Sequence, residues 1–154
     1  MPPRWPEEPS APWRSATFLA VELETMRRRF REARVGRLAT VTMQGCPHLA
    51  PCCFVLLDDT VYSAVDAKPK STTALQRLVN VRTNPSASLL VDHYDDADWE
   101  ALWWIRVDGR ARVVDPEAAP GALRSLCSRY PQYRLDRPPG PLLEIRIERW
   151  TAWP

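Results

Sequence analysis

Apolar residues first recur along the chain at the spacing of a helix. Leu19, Leu23, Met26, Phe30 and Ala33 follow one another in steps of four and three, which places them on one stripe of an α-helix predicted from Ala16 to Ala33. From Val35 the period drops to two. Val35 to Thr42 reads as a strand, Gln44-Gly45 as a turn, His48 to Leu57 as a second strand, Asp58-Asp59 as another turn and Thr60 to Val65 as a third strand. Connections this short join antiparallel neighbours. Leu75, Leu78, Val79 and Arg82 then mark a short helix running from Thr72 to Arg82 and closed by Asn84-Pro85. Ser86 to Asp92 is the fourth strand. The fifth alternates most clearly, with Trp103, Ile105, Val107, Ala111 and Val113 on one face and Arg106, Asp108, Arg110 and Arg112 on the other. Leu123, Leu126, Cys127 and Tyr130 define a further amphipathic helix. A proline-bounded loop from Pro131 to Pro141 leads to the last strand, Leu142 to Arg149. Six strands with few helices, one of them inserted after the third strand, predict a mainly β domain. The expected form is a six-stranded antiparallel barrel with peripheral helices, since closure removes exposed strand edges.

A length of 154 residues suits one domain, here 15–154, with its own core. Residues 1–14 form a Pro-rich tail with Pro2, Pro3, Pro6, Pro9 and Pro12, expected to be extended. Trp5 and Trp13 give the tail a means of docking. The net charge of +2 argues against nucleic acid as the main partner, and Arg27-Arg28-Arg29-Phe30-Arg31 reads as the solvated face of the first helix. No apolar stretch approaches the roughly 18 residues of a membrane span, and Met1 to Pro6 lacks a signal-peptide core. The cysteines are Cys46, Cys52, Cys53 and Cys127, with no Cys-x-x-Cys pair; with only His48 and His93 beside them, no zinc spacing exists. Reduced structural thiols in a cytoplasm are expected.

The chain has two lysines only, Lys68 and Lys70, where the third strand gives way to a helix. With Ser71 and Thr72 beside them they describe an anion site at a helix N-terminus, where free N–H groups and the helix dipole add to the ammonium charge; the alternative is two solvated lysines on a loop. Arg106, Arg110 and Arg112 line an anionic pocket or pair with Glu144 and Glu148. Trp103-Trp104 put one indole on each side of the sheet. His48 follows Pro47 as a general base or as a packing residue. The loop His93 to Asp98 is acidic, with nothing to fix a metal geometry. No Gly-x-Ser-x-Gly, P-loop or dinucleotide fingerprint occurs. So little catalytic side-chain machinery beside an anion site suits an enzyme whose chemistry is carried by a bound cofactor.

The run Arg37-Leu-Ala-Thr-Val-Thr-Met-Gln-Gly-Cys-Pro-His-Leu-Ala-Pro51 resembles the first hairpin of the pyridoxamine-phosphate-oxidase-like split β-barrel superfamily. Asn80-Val-Arg-Thr-Asn-Pro-Ser86 and Trp104-Ile-Arg-Val-Asp-Gly-Arg-Ala111 are similar to its Asn-x-x-x-Asn-Pro strand entry and its long strand with Gly-x-Ala. Tyr62 to Lys70, Val91 to Asp96 and Leu102 to Gly109 carry a narrower likeness, to the actinobacterial branch of probable coenzyme F-420 (deazaflavin)-dependent oxidoreductases. The resemblance implies hydride transfer from reduced F-420 to an unsaturated small organic substrate. FMN is the alternative cofactor, and a non-catalytic deazaflavin-binding protein the alternative role. It also implies a homodimer with the cofactor in a groove between subunits. The cofactor phosphate would be held by Lys68, Lys70, Ser71 and Thr72, with the backbones around Ala50-Pro51 and Ser63-Ala64 facing the ring. Many relatives place the phosphate-binding Lys nearer to the Asn that precedes Asn-Pro. Here Lys70 stands ten residues before Asn80, and Arg77 occupies the closer position. The Arg-Leu-x-x-Arg tail with which pyridoxamine phosphate oxidases grip substrate is absent, which argues against vitamin B6 oxidation.

Overall fold

The period-of-two segments assemble into one antiparallel sheet, and the order of its strands dictates how it closes. The computed structural model describes residues 16–65 and 73–153. Its strands are β1 (Gly36–Val41), β2 (Pro47–Cys52), β3 (Val55–Leu57), β4 (Thr60–Ala64), β5 (Ser86–His93), β6 (Trp103–Val114) and β7 (Leu142–Trp153). They are hydrogen-bonded in the order β2-β1-β5-β6-β7-β4-β3. β2 and β3 lie at opposite ends of that order, yet only Cys53 and Phe54 join them. Laid flat, the sheet would hold its two ends about 29 Å apart, whereas three Cα steps reach at most about 11 Å. The sheet therefore curls until its ends meet, and the result is a barrel split at Cys53-Phe54.

The sequence pattern predicts one strand from His48 to Leu57 and six strands in all; the described residues form seven, because that run breaks in two. The break has a side-chain cause. Phe54 is fully buried, its ring 5.1 Å from that of Phe30. Its backbone leaves the ladder and bonds instead to the Tyr130 hydroxyl, which accepts from the Phe54 N–H at 3.1 Å. The single hydroxyl proton faces the Phe54 carbonyl at 2.8 Å and the Arg34 carbonyl at 2.9 Å. Buried backbone groups require such partners. Two other expectations are extended: β7 continues to Trp153, and the proline-bounded loop holds a short helix.

Among the described residues four α-helices surround the sheet: α1 (Ala16–Glu32), α2 (Thr73–Thr83), α3 (Pro120–Arg129) and α4 (Pro131–Leu135). Inside the barrel, Leu38, Val61, Leu89, Val107 and Ile145 pack with Phe30 of α1 and with Leu78 and Val81 of α2. A second apolar cluster lies outside, where Ala122, Leu123 and Leu126 of α3 cover Val55, Ala64 and Leu142. β6 and β7 shift register at Asp108/Gly109. A Cβ on Gly109 would stand 2.1 Å from the Arg146 carbonyl oxygen, so only glycine fits. Among the described residues no helix is long and apolar enough to cross a membrane.

Candidate functional site

The end of β2 and the end of β4 come together at Cys52, and α2 carries a cation near enough to act there. Cys52 closes β2 with its thiol buried in the barrel core, while its neighbour Cys53 joins the outer cluster under α3; adjacent strand residues face opposite sides. Burial pushes the Cys52 thiol up to about 11, against the opposing effects of the Ser63 hydroxyl and the Arg77 guanidinium. The same influences locate the three groups beside one another. Ser63 is buried on β4, and its hydroxyl reaches no partner at hydrogen-bonding geometry, although it lies near enough to act on Cys52. Arg77, half-buried on α2, has no ion pair with another described residue. A cation without an ion pair among the described residues and a hydroxyl whose one neighbour is a neutral thiol are both groups able to donate to an oxyanion. The neutral thiol beside them is wall, not nucleophile, because only the thiolate attacks.

A buried polar chain fixes where α2 presents Arg77. The Asn80 amide donates to the Thr40 hydroxyl of β1 at 2.9 Å, and its oxygen accepts from the Gln76 amide at 2.8 Å. Asn80 and Thr40 are both about 1% exposed, so these bonds are made away from water, where leaving them unmade is costly. Asn80 thus pins the helix to the sheet one turn from Arg77. Its signal in the sequence was the Asn-x-x-x-Asn-Pro motif.

Of the cofactor residues expected from sequence, the structure brings Ser63 and Arg77 together at Cys52. Ala50 faces inward on β2, Pro51 points to solvent, and the Ala64 side chain is covered by α3. Lys68, Lys70, Ser71 and Thr72 lie outside the described residues, in the link between β4 and α2, as does the tail 1–14. The arginine face of β6 divides. Arg106 pairs with Asp108 and Arg112 with Glu144, at 3.1 and 2.6 Å. Arg110 has no ion pair among the described residues. His48 is half-buried with both ring nitrogens shielded and unpartnered, so no carboxylate orients it as a base. Among the described residues no group of three His, Cys, Asp or Glu side chains gathers as metal ligands.

A family model described as pyridoxamine 5'-phosphate oxidase matches residues 23–154. No curated protein matches the chain. Among solved structures, a conserved hypothetical protein from Mycobacterium tuberculosis is 25% identical, with 86% of this chain and 83% of that one covered and a TM-score of 0.66. HutZ, the heme storage protein from Vibrio cholerae, is 20% identical over 88% and 93% of the two chains, at a TM-score of 0.63. An FAD-binding protein from Mesorhizobium loti is 21% identical over 84% and 91%, also at 0.63. At these identities the last two are likenesses of fold.

Proposed function

The chain belongs to the pyridoxamine 5'-phosphate oxidase family, and on that premise we propose that it is a cytoplasmic, coenzyme F-420-dependent oxidoreductase acting on a small unsaturated organic substrate. The observation that carries the reading is that the Arg77 guanidinium and the Ser63 hydroxyl both act on the Cys52 thiol, where β4 and α2 approach the end of β2. These donors suit a cofactor phosphate, and Lys68, Lys70, Ser71 and Thr72 belong to the same proposed cradle. The backbones at Ala50-Pro51 and Ser63-Ala64 border the ring in this proposal. When bound, reduced F-420 supplies a hydride from C5 to the electrophilic carbon of the substrate, and water supplies the balancing proton. The chain's own part is to hold and orient the pair and to exclude water. Cys52 stays protonated beside the site, and His48 lacks an orienting partner, so no acid or base is assigned.

The Mesorhizobium protein, which binds FAD on this fold, supports a flavin-type ring and equally favours FMN as the second reading. HutZ stores heme on the same fold, so a carrier role is the third. We further propose a homodimer formed through the outward face of the sheet, where Leu49 and Trp153 stay 69% and 46% exposed. Titration of the purified protein with F-420 and with FMN, followed by fluorescence, is the deciding experiment. F-420 is expected to bind at micromolar affinity or tighter and FMN more weakly. A protein that is yellow with FMN as purified and ignores F-420 replaces the first reading by the second. Oxidation of reduced F-420 with any acceptor separates an enzyme from a carrier.

A further inference from the structure

We propose that the cleft between the β1–β2 turn and the C-terminal end of α2 is a second binding site, for a small molecule bearing a phosphate or carboxylate. The cleft has a volume of about 430 Å³ and is lined by Thr42, Met43, Gly45, Thr83, Asn84, Pro85 and Arg110. No acidic side chain is among them. The polar groups are donors still available. Asn84 spends its side-chain oxygen on the Ser86 N–H at 3.1 Å, which leaves its amide NH₂ to give. Thr42 accepts from the Cys46 N–H at 3.0 Å, which leaves its hydroxyl proton to give. Arg110 is half-buried and carries five N–H donors with no acceptor among the described residues.

The strand register adds a second observation. Arg110 stands directly opposite Arg146, which also has no ion pair among the described residues. Like charges at directly opposed positions destabilise a sheet pair. The same face shows how this chain treats its other arginines. Asp108, 1% exposed, takes Arg106 and Arg149, and Glu144 takes Arg112. At the row of Arg110 and Arg146 no carboxylate is provided, and an oxyanion fits the guanidinium fork. The competing role for Arg110 is to offset the negative end of the α2 dipole. The Asn80 carbonyl of the last turn is already taken, by the Asn84 N–H and the Thr83 hydroxyl at 2.7 and 2.9 Å, and the variants below separate the two roles. The cleft is distinct from the cofactor mouth, because Thr83 lies about 9 Å along α2 from Arg77.

The test uses the full-length protein with inorganic phosphate and, separately, succinate as probes, at constant ionic strength. Calorimetry and NMR of the arginine Nε–H signals read binding. Saturable binding of at least one probe is expected, with the Arg110 signal shifting. Arg110→Gln should weaken it about tenfold or more, Arg110→Lys less, and Arg146→Gln several-fold. Preference for phosphate or for succinate identifies which oxyanion the site takes. If Arg110→Gln does not fold, Thr42→Val supplies the same test with a smaller loss. Absence of saturable binding, or binding unchanged in the variants while Arg110→Gln only lowers the melting temperature, overturns the proposal and leaves Arg110 as a helix-end charge.

Discussion

Cys52 is neutral at physiological pH, and its neighbours decide what that means. Burial is the largest influence and raises its pKa from 9.0 to about 11. The folded form therefore keeps the proton that the unfolded chain loses. Below about pH 9 the contribution to stability is complete; between pH 9 and 11 the unfolded chain ionises first, and about 2–3 kcal/mol is lost. Urea midpoints measured across that range should fall more steeply for the native protein than for Cys52→Ala. At pH 7.5 iodoacetamide should label exposed Cys46 and spare Cys52; equal labelling rates would contradict the protonated, enclosed thiol. Arg77 carries the opposite expectation, a charge at work. Arg77→Gln should weaken F-420 binding by about tenfold to a hundredfold. Lys68→Ala and Lys70→Ala test how that contact is divided. Loss only in Arg77→Gln places the phosphate on the helix; loss only in the lysine variants places it on the preceding link; full binding in all three removes the anion site.

At the level of elements, the split in the barrel rests on one hydroxyl. Tyr130→Phe keeps the ring that packs at 5.6 Å from Tyr133 but strips partners from the Phe54 N–H and from the Phe54 and Arg34 carbonyls. Unsatisfied buried groups cost about 1–3 kcal/mol. The variant should unfold at correspondingly lower urea, and its Phe54 amide should exchange faster; a change under about 0.5 kcal/mol would mean that water replaces the hydroxyl. The same contact explains where sequence reading stopped. The alternation in β6 and β7 is local, and it predicted those strands and their apolar faces; β5 was predicted as a strand. From His48 to Leu57 the pattern is continuous, and nothing within it marks a break. What breaks it is Tyr130, 76 residues away, a tertiary contact that periodicity does not carry. The site divides likewise. Ser63 and Arg77 were named from the resemblance, Ser63 for its backbone, and the structure sets both near Cys52. Cys52 between them was read as a structural thiol and is one, but its position at the centre appears only once β2, β4 and α2 meet.

At the level of the whole molecule, the barrel has a filled inside, an outer patch covered by α3, and one broad outer face that the described chain leaves uncovered. Register places Leu49, Ala39, Ser88, Asp108 and Arg149 in one row across five strands. The next row is Pro51, Arg37, Leu90, Arg106 and Thr151. Asp108 is 1% exposed and held by Arg149 at 2.8 Å and by Arg106 at 3.1 Å, so the charges at the centre of the face are engaged within the chain. Its rim, at Leu49 and Trp153, is apolar and exposed. The Thr151 hydroxyl is shielded and unpartnered. A centre whose charges are already paired, beside exposed apolar side chains, suits contact with a second copy, since a twofold axis sets each patch against itself. About 800 Å² per subunit is the usual requirement. Light scattering at micromolar concentration should give twice the chain mass, and Leu49→Asp, which puts a charge on the exposed apolar part of the face, should shift the protein toward monomer. A native protein that is monomeric throughout would end the dimer proposal. The two variants also separate assembly from cofactor grip. If the cofactor groove is completed by the partner, Leu49→Asp weakens F-420 binding in step with dissociation, while Arg77→Gln weakens it in an intact dimer. F-420 binding undiminished in a Leu49→Asp monomer would place the whole cofactor site within one chain.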